Sequence, residues 1–286
     1  MFSLKERVSS LHSLPAMPET ASAVLNLRTI PDVNIEEVLD VIEKDPLLVA
    51  QIIRYANSAF FGQTGSINSL KDAVFRVLGL DTVMNMALAL SVGASFTTPN
   101  YGPVGALSVW KSSMYSAALM QRLTMLMPWG ERPNPGTAYL VGLLNNIGLF
   151  VLGHLFTEEY EIFNNHLEKF KEEDFVSAEA NILGISHLNL GKKVMRMWNM
   201  PEEIIAAMGG TDDIELQDEH KQYLDLLAIV NILLSRHELS FTDHSVHSFA
   251  DLLSNLKLDE SDVLFAADEI LQEAGVIDDL VKQMCA

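Results

Sequence analysis

Cysteine is almost absent: among 286 residues the only one is Cys285. That excludes an intramolecular disulfide framework and a cysteine-cluster metal site, and it fits a reducing cytosol. Positive charge is also scarce. Nineteen Lys and Arg face 38 Asp and Glu, a formal net charge of −19. Such a field repels phosphate backbones and anionic headgroups. The densest basic pair, Lys192-Lys193, is not a patch. Neither nucleic acid nor membrane is expected as a partner; basic or neutral proteins fit better. The longest apolar run, Ala138 to Gly153, is shorter than a membrane span and contains two asparagines. The N-terminal Met-Phe-Ser-Leu-Lys-Glu-Arg-Val carries no apolar run with a small-residue cleavage site, so no signal peptide and a cytoplasmic location are expected. There is no Walker loop, no Gly-x-Gly-x-x-Gly after a strand and no Gly-x-Ser-x-Gly elbow. Period-2 strands and tandem repeats are missing too.

What the chain does have is helical punctuation. Pro18-Glu19 opens a helix to about Arg28, and Asn34 with Glu37 resembles a capping box before 35–43. Asp45-Pro46 starts 46–57, Ser69 caps 70–78 before Gly79, and Asp81 caps 82–95. A break at Thr97 to Pro103 precedes a long helix over 104–127. After the Pro- and Gly-rich loop 128–135, helices are expected at 136–153, 157–172, 177–183, 187–197 and 201–208. Gly209 to Asp213 is a second break, followed by helices near 217–236, 246–254, 259–273 and 276–284. The expected fold is all-α, with an N-terminal lobe over about 1–98 and a second lobe from about 104. Residues 251–286 hold nine acids and two lysines along an apolar stripe that includes Leu252, Leu256, Val263 and Ile270. That pattern suits a solvated acidic face on packed helices, or a docking surface.

The segment Leu140-Val-Gly-Leu-Leu-Asn-Asn-Ile-Gly148 places Asn145 and Asn146 side by side in apolar surroundings. Buried amides need partners. The frame resembles the HD superfamily of metal-dependent phosphohydrolases, in which this helix carries a metal-binding His-Asp pair. Other stretches resemble one subgroup, the HDOD (HD-related output domain) family, over about 8–210, with 211–286 as a C-terminal extension packed on the HD-like lobe. They are Leu14-Pro-Ala-Met-Pro-Glu19, Glu43-Lys-Asp-Pro-Leu47, Arg54-Tyr-Ala-Asn-Ser-Ala-Phe-Phe-Gly62, Ile67 to Gly79, Gly184-Ile-Ser-His-Leu-Asn-Leu-Gly191 and Trp198-Asn-Met-Pro201. The resemblance implies an all-α, multi-helix HD-like bundle and a bacterial regulatory role.

It also implies where a metal centre would lie. Ser112 falls at the early His after Trp110, Asn145-Asn146 at the His-Asp pair, and Asn231 at the late Asp. His187 matches a histidine of two-metal members, and Gly209-Gly210 replaces a His-His pair. A hydrolytic divalent centre needs anionic oxygens, imidazoles and a metal-bound water. Of these positions only His187 keeps a ligating side chain. No metal, no cofactor and no catalytic residue is therefore expected. Asn145 and Asn146 serve as a polar pin in the core, bonded to each other, to Ser112 or to helix-end backbone, or else they line a vestigial pocket for a small polar ligand. Asn57 and Ser58 cap a helix end, where Asn tolerates left-handed geometry. Together with Phe60, Phe61, Trp110 and Trp198 they are candidates for a ligand or partner surface. His244-Ser-Val-His247 has chelating spacing but lacks a nearby acid. The expected function is a non-catalytic signalling module that contacts signalling proteins in trans, a homodimer being left open. The alternatives are a phosphohydrolase with a rearranged site around His187 and a nucleotide-binding sensor without turnover.

Overall fold

The computed structural model describes residues 4, 8, 16–57, 66–208, 220–242, 248–272 and 274–285, and among them every regular element is a helix. Local signals set most of the starts. Helix α1 (Glu19–Arg28) follows Pro18. Asn34 caps α2 (Ile35–Ile42), its side-chain oxygen accepting from the Glu36 N–H at 3.0 Å. Asp45 caps α3 (Pro46–Ala56), accepting from the N–H groups of Leu47 and Leu48, each at 3.1 Å. Ser69 caps α4 (Leu70–Ala73), which widens into a π turn over Val74–Leu78. Gly79 ends that turn at φ 78°, a conformation that favours glycine.

After these come α5 (Leu80–Ala94), α6 (Ala106–Leu126), α7 (Pro135–Leu144), α8 (Ile147–Leu155), α9 (Thr157–Lys169), α10 (Phe175–Ile182), α11 (His187–Met197) and α12 (Glu202–Ala207). The chain closes with α13 (Lys221–Ser235), α14 (Phe249–Leu256), α15 (Glu260–Gln272) and α16 (Ala274–Met284).

Four local expectations are corrected. The helix expected over 136–153 is two helices, because the backbone leaves helical geometry at Asn146 (φ −97°, ψ 11°). Helix α5 starts at Leu80, so Asp81 lies in its first turn and Gly79 takes the cap. The Asn34 cap uses the Glu36 N–H, without the reciprocal bond expected from Glu37. Asn57 is right-handed (φ −85°). Its side chain caps the helix end as expected, donating to the Ile53 carbonyl at 2.9 Å, and also clasps the backbone of Ile67, donating to the carbonyl and accepting from the N–H, both at 2.7 Å.

Helix α6 is the axis of the molecule, with α7, α13, α15 and α16 packed around it. Its approach to α7 is backbone to backbone: a Cβ on Gly142 would lie 2.6 Å from the Ala117 Cα. Helix α5 lies on α7 and carries α1, so one hydrophobic core joins the N-terminal helices to the rest of the described chain. The stretch Pro135–Leu155 is long and apolar enough to cross a membrane, but 89% of its apolar window is enclosed by other helices. A helix covered on all sides is apolar all round.

The acidic C-terminal helices are amphipathic and docked. Leu252, Leu256, Val263 and Ile270 are buried, and α16 buries Ile277, Leu280 and Val281. Helix α16 packs on α6 and also on α3. The Lys111 Nζ lies 2.9 and 3.0 Å from the two carboxylate oxygens of Asp278. Burial, with Asp278 as a lesser cause, pushes the neighbouring Tyr115 hydroxyl above its ordinary range.

Candidate functional site

Three of the HD-like positions, Ser112, Asn145 and Asn146, converge where α6, α7 and α8 meet. Ser112 and Ser116 lie four residues apart on α6, so they share a face. Both are buried, as are Asn145 and Asn146 at the α7–α8 break. The Asn146 Nδ2 donates to the Ser112 Oγ at 3.0 Å and lies 3.5 Å from the Ser113 Oγ. The Asn145 Nδ2 donates to the Ser116 Oγ at 2.8 Å. No bond joins the two asparagines. The Asn145 Oδ1 is buried without a partner.

Two residues further on, Gly148 touches α11. A Cβ there would sit 1.9 Å from the His187 carbonyl oxygen and 2.9 Å from the Gly191 N. Only glycine lets these backbones meet, which accounts for Gly148 in the Asn-Asn-Ile-Gly run. His187 opens α11 behind its Ser186 cap and is 2% exposed. Its ring does not join the asparagines. Glu179 of α10, 1% exposed, holds it through one carboxylate oxygen, which accepts from the His187 backbone N–H at 2.7 Å and lies 2.8 Å from Nδ1. The other ring nitrogen, Nε2, is buried and unpartnered. Phe175 meets the ring edge-on at 5.7 Å.

Glu179 was not picked out from the sequence. An acid eight residues before a histidine, across a turn, has no periodic signature. The only hint is its place beside Ala178 on the inward face of a short helix. Asn231 is half-buried on α13, and no hydrogen bond links it to the pair. Gly209 and Gly210 lie outside the described residues, as do Ser58, Phe60, Phe61, His244 and His247. Among the described residues, no group of three His, Cys, Asp or Glu is placed to hold a metal ion.

Trp110 and Trp198 belong to a separate aromatic cluster. Trp110 packs on Phe150 with ring centroids 4.9 Å apart, and Trp198 lies 5.7 Å from Phe96.

The sequence profile of the HDOD domain matches residues 14–213. The chain belongs to the HDOD family. Among solved structures it is similar to a Marinobacter aquaeolei VT8 protein provisionally named for signal transduction, with 30% identity and a TM-score of 0.79. That likeness covers 100% of this chain and 62% of the other. An HDOD domain protein of unknown function from Geobacter sulfurreducens shares the fold at 21% identity, TM-score 0.75, over 97% of this chain and 96% of its own. A protein from Shewanella amazonensis SB2B, provisionally named a phosphohydrolase, shares it at 19% identity, TM-score 0.71, over 98% and 97%. An uncharacterised protein of Treponema pallidum (strain Nichols) is 24% identical over 243 residues, 81% of this chain. This chain spans only 44% of that relative's length. The HDOD match ends before α13, yet α13, α15 and α16 all pack against α6 within it.

Proposed function

We propose that this chain is a non-catalytic HDOD signalling module that acts through protein contacts in trans. One observation carries the proposal: Asn145 and Asn146 turn their amide hydrogens toward Ser116 and Ser112. Each amide offers only a neutral carbonyl oxygen, the buried, unpartnered Asn145 Oδ1 included, whereas a hydrolytic divalent cation needs anionic oxygens to offset its charge. The positions that would supply carboxylates hold neutral side chains, and the nearby acid Glu179 is engaged by His187. These residues do not fit a divalent hydrolytic centre. They fit a polar pin that joins α6 to the α7–α8 break. The signalling part of the proposal draws support from the name of the Marinobacter relative, and a cytoplasmic setting from the lone cysteine. The rival, a phosphohydrolase with a rearranged site, draws on the buried, unpartnered Nε2 of His187.

Hydrolysis assays decide between them. With bis(p-nitrophenyl) phosphate or nucleotides and added Mg²⁺, Mn²⁺ or Ni²⁺, turnover is expected to stay at background. Metal-dependent hydrolysis that His187→Ala abolishes would overturn the proposal. Reconstruction is the positive control: Ser112→His, Asn145→His, Asn146→Asp and Asn231→Asp together are expected to raise Mn²⁺ affinity over the unmodified chain.

A further inference from the structure

A cavity of about 740 Å³ opens away from the asparagine pair. Its walls are Gln51 of α3, α5, the α5–α6 connection, α6, α8, Thr157 of α9 and Cys285 just beyond α16. Ser112, Asn145, Asn146 and His187 do not line it. Its volume lies in the range of small-molecule sites, roughly 300–1,000 Å³.

The apolar part of the wall is aromatic and rigid. Phe96, Trp110 and Phe150 all line the cavity and are at most 7% exposed. Trp110 rests on bare backbone, since a Cβ on Gly93 would lie 2.1 Å from its ring. Such rings give the cavity a fixed apolar wall.

The polar part is neutral and has hydrogen-bonding capacity to spare. No Lys, Arg, Asp or Glu lines the cavity. The Thr97 backbone N–H donates to the His154 Nδ1 at 3.2 Å, which places the ring hydrogen on Nε2 as a donor. The Thr98 hydroxyl donates to the Phe150 carbonyl at 3.0 Å and can still accept. The Asn100 Nδ2 donates to the Cys285 carbonyl at 2.8 Å, leaving its Oδ1 to accept. A fixed aromatic wall thus stands beside neutral donors and acceptors, among them His154, Thr98, Asn100 and the Gln51 carboxamide, with no charge to offset a phosphate.

We infer that this cavity binds an uncharged planar heterocycle of nucleobase or nucleoside size, packed against the apolar Trp110–Phe150 wall and hydrogen-bonded along its edge by His154, Thr98 and Asn100. Phosphorylated forms are disfavoured twice, by a wall without cations and by the net charge of −19. The inference does not depend on whether the asparagine pair is inert, because the two sites share no residue.

Calorimetric titration of the full chain with adenosine, guanosine and adenosine 5′-monophosphate tests it. At least one nucleoside is expected to bind with 1:1 stoichiometry and a Kd below about 1 mM. The monophosphate is expected to bind at least about ten-fold more weakly than adenosine. His154→Phe removes the edge donor and keeps a flat ring; Trp110→Leu removes the aromatic wall. Each is expected to weaken nucleoside binding about ten-fold or more, the order of one lost hydrogen bond or apolar packing contact. Circular dichroism checks that each variant folds, and Asn100→Ala, at an exposed position, reads the same site if Trp110→Leu does not. Absence of binding by both nucleosides at several millimolar overturns the inference. So does binding that none of the folded variants weakens, or a monophosphate that binds as tightly as adenosine.

Discussion

Asn145 and Asn146 are chemically identical neighbours with unequal surroundings. Asn146 donates to Ser112 and has no buried atom left unpaired, whereas Asn145 buries an orphan Oδ1. Asn146→Ala strips Ser112 of its buried partner and is expected to cost roughly 1–3 kcal/mol. Asn145→Ala also removes the orphan, so a smaller loss is expected. Chemical denaturation of the two variants measures the ranking, and equal losses would contradict it. Gly148 acts by having no side chain. With a Cβ 1.9 Å from the His187 carbonyl oxygen, Gly148→Ala must push α8 away from α11. A loss of about 1–3 kcal/mol or more is expected from such overpacking. Gly130, whose Cβ would meet nothing within 4 Å, supplies the control. Gly130→Ala is expected to stay within about 0.5 kcal/mol of the parent.

Among the elements, α3 shows how a short polar side chain defines a helix. Asp45 accepts two of the orphan N–H groups at its start, and Pro46 has no N–H to satisfy. Asp45→Ala is expected to cost about 1 kcal/mol, read as a lower thermal midpoint with unchanged helical content. The α7–α8 break has the opposite origin. Nothing in Leu143-Leu-Asn-Asn-Ile-Gly148 stops a helix as proline would. The chain bends where two amides reach for serines on α6, and where Gly148 must lie against α11.

Across the whole molecule, α16 joins the end of the described chain to both α6 and α3. It buries Ile277, Leu280 and Val281, each worth roughly 1.5–3 kcal/mol on burial. Its partly exposed Lys111–Asp278 pair adds at most about 1 kcal/mol. Removing residues 274–286 is therefore expected to lower the thermal midpoint strongly, while Lys111→Ala shifts it little. Comparable midpoints for the two variants would show that α16 is not docked in solution.

The sequence alone determined the helical class, most helix starts and the family. Pro18, Asp45-Pro46, Ser69 and the Asn-Asn-Ile-Gly run act through local geometry or through order along the chain, and both are written in the sequence. It also named Ser112 as one of several partners open to the asparagines, because the HD-like frame puts them in one site. Tertiary structure alone decided the rest. That Asn145 turns to Ser116, that Glu179 holds His187 and that Asn57 clasps Ile67 depend on which helices touch. So does the cavity wall, which draws Gln51, Trp110, His154 and Cys285 from distant parts of the chain. Contacts between residues far apart along a chain leave no period in it, and only the packed fold brings them within hydrogen-bonding reach.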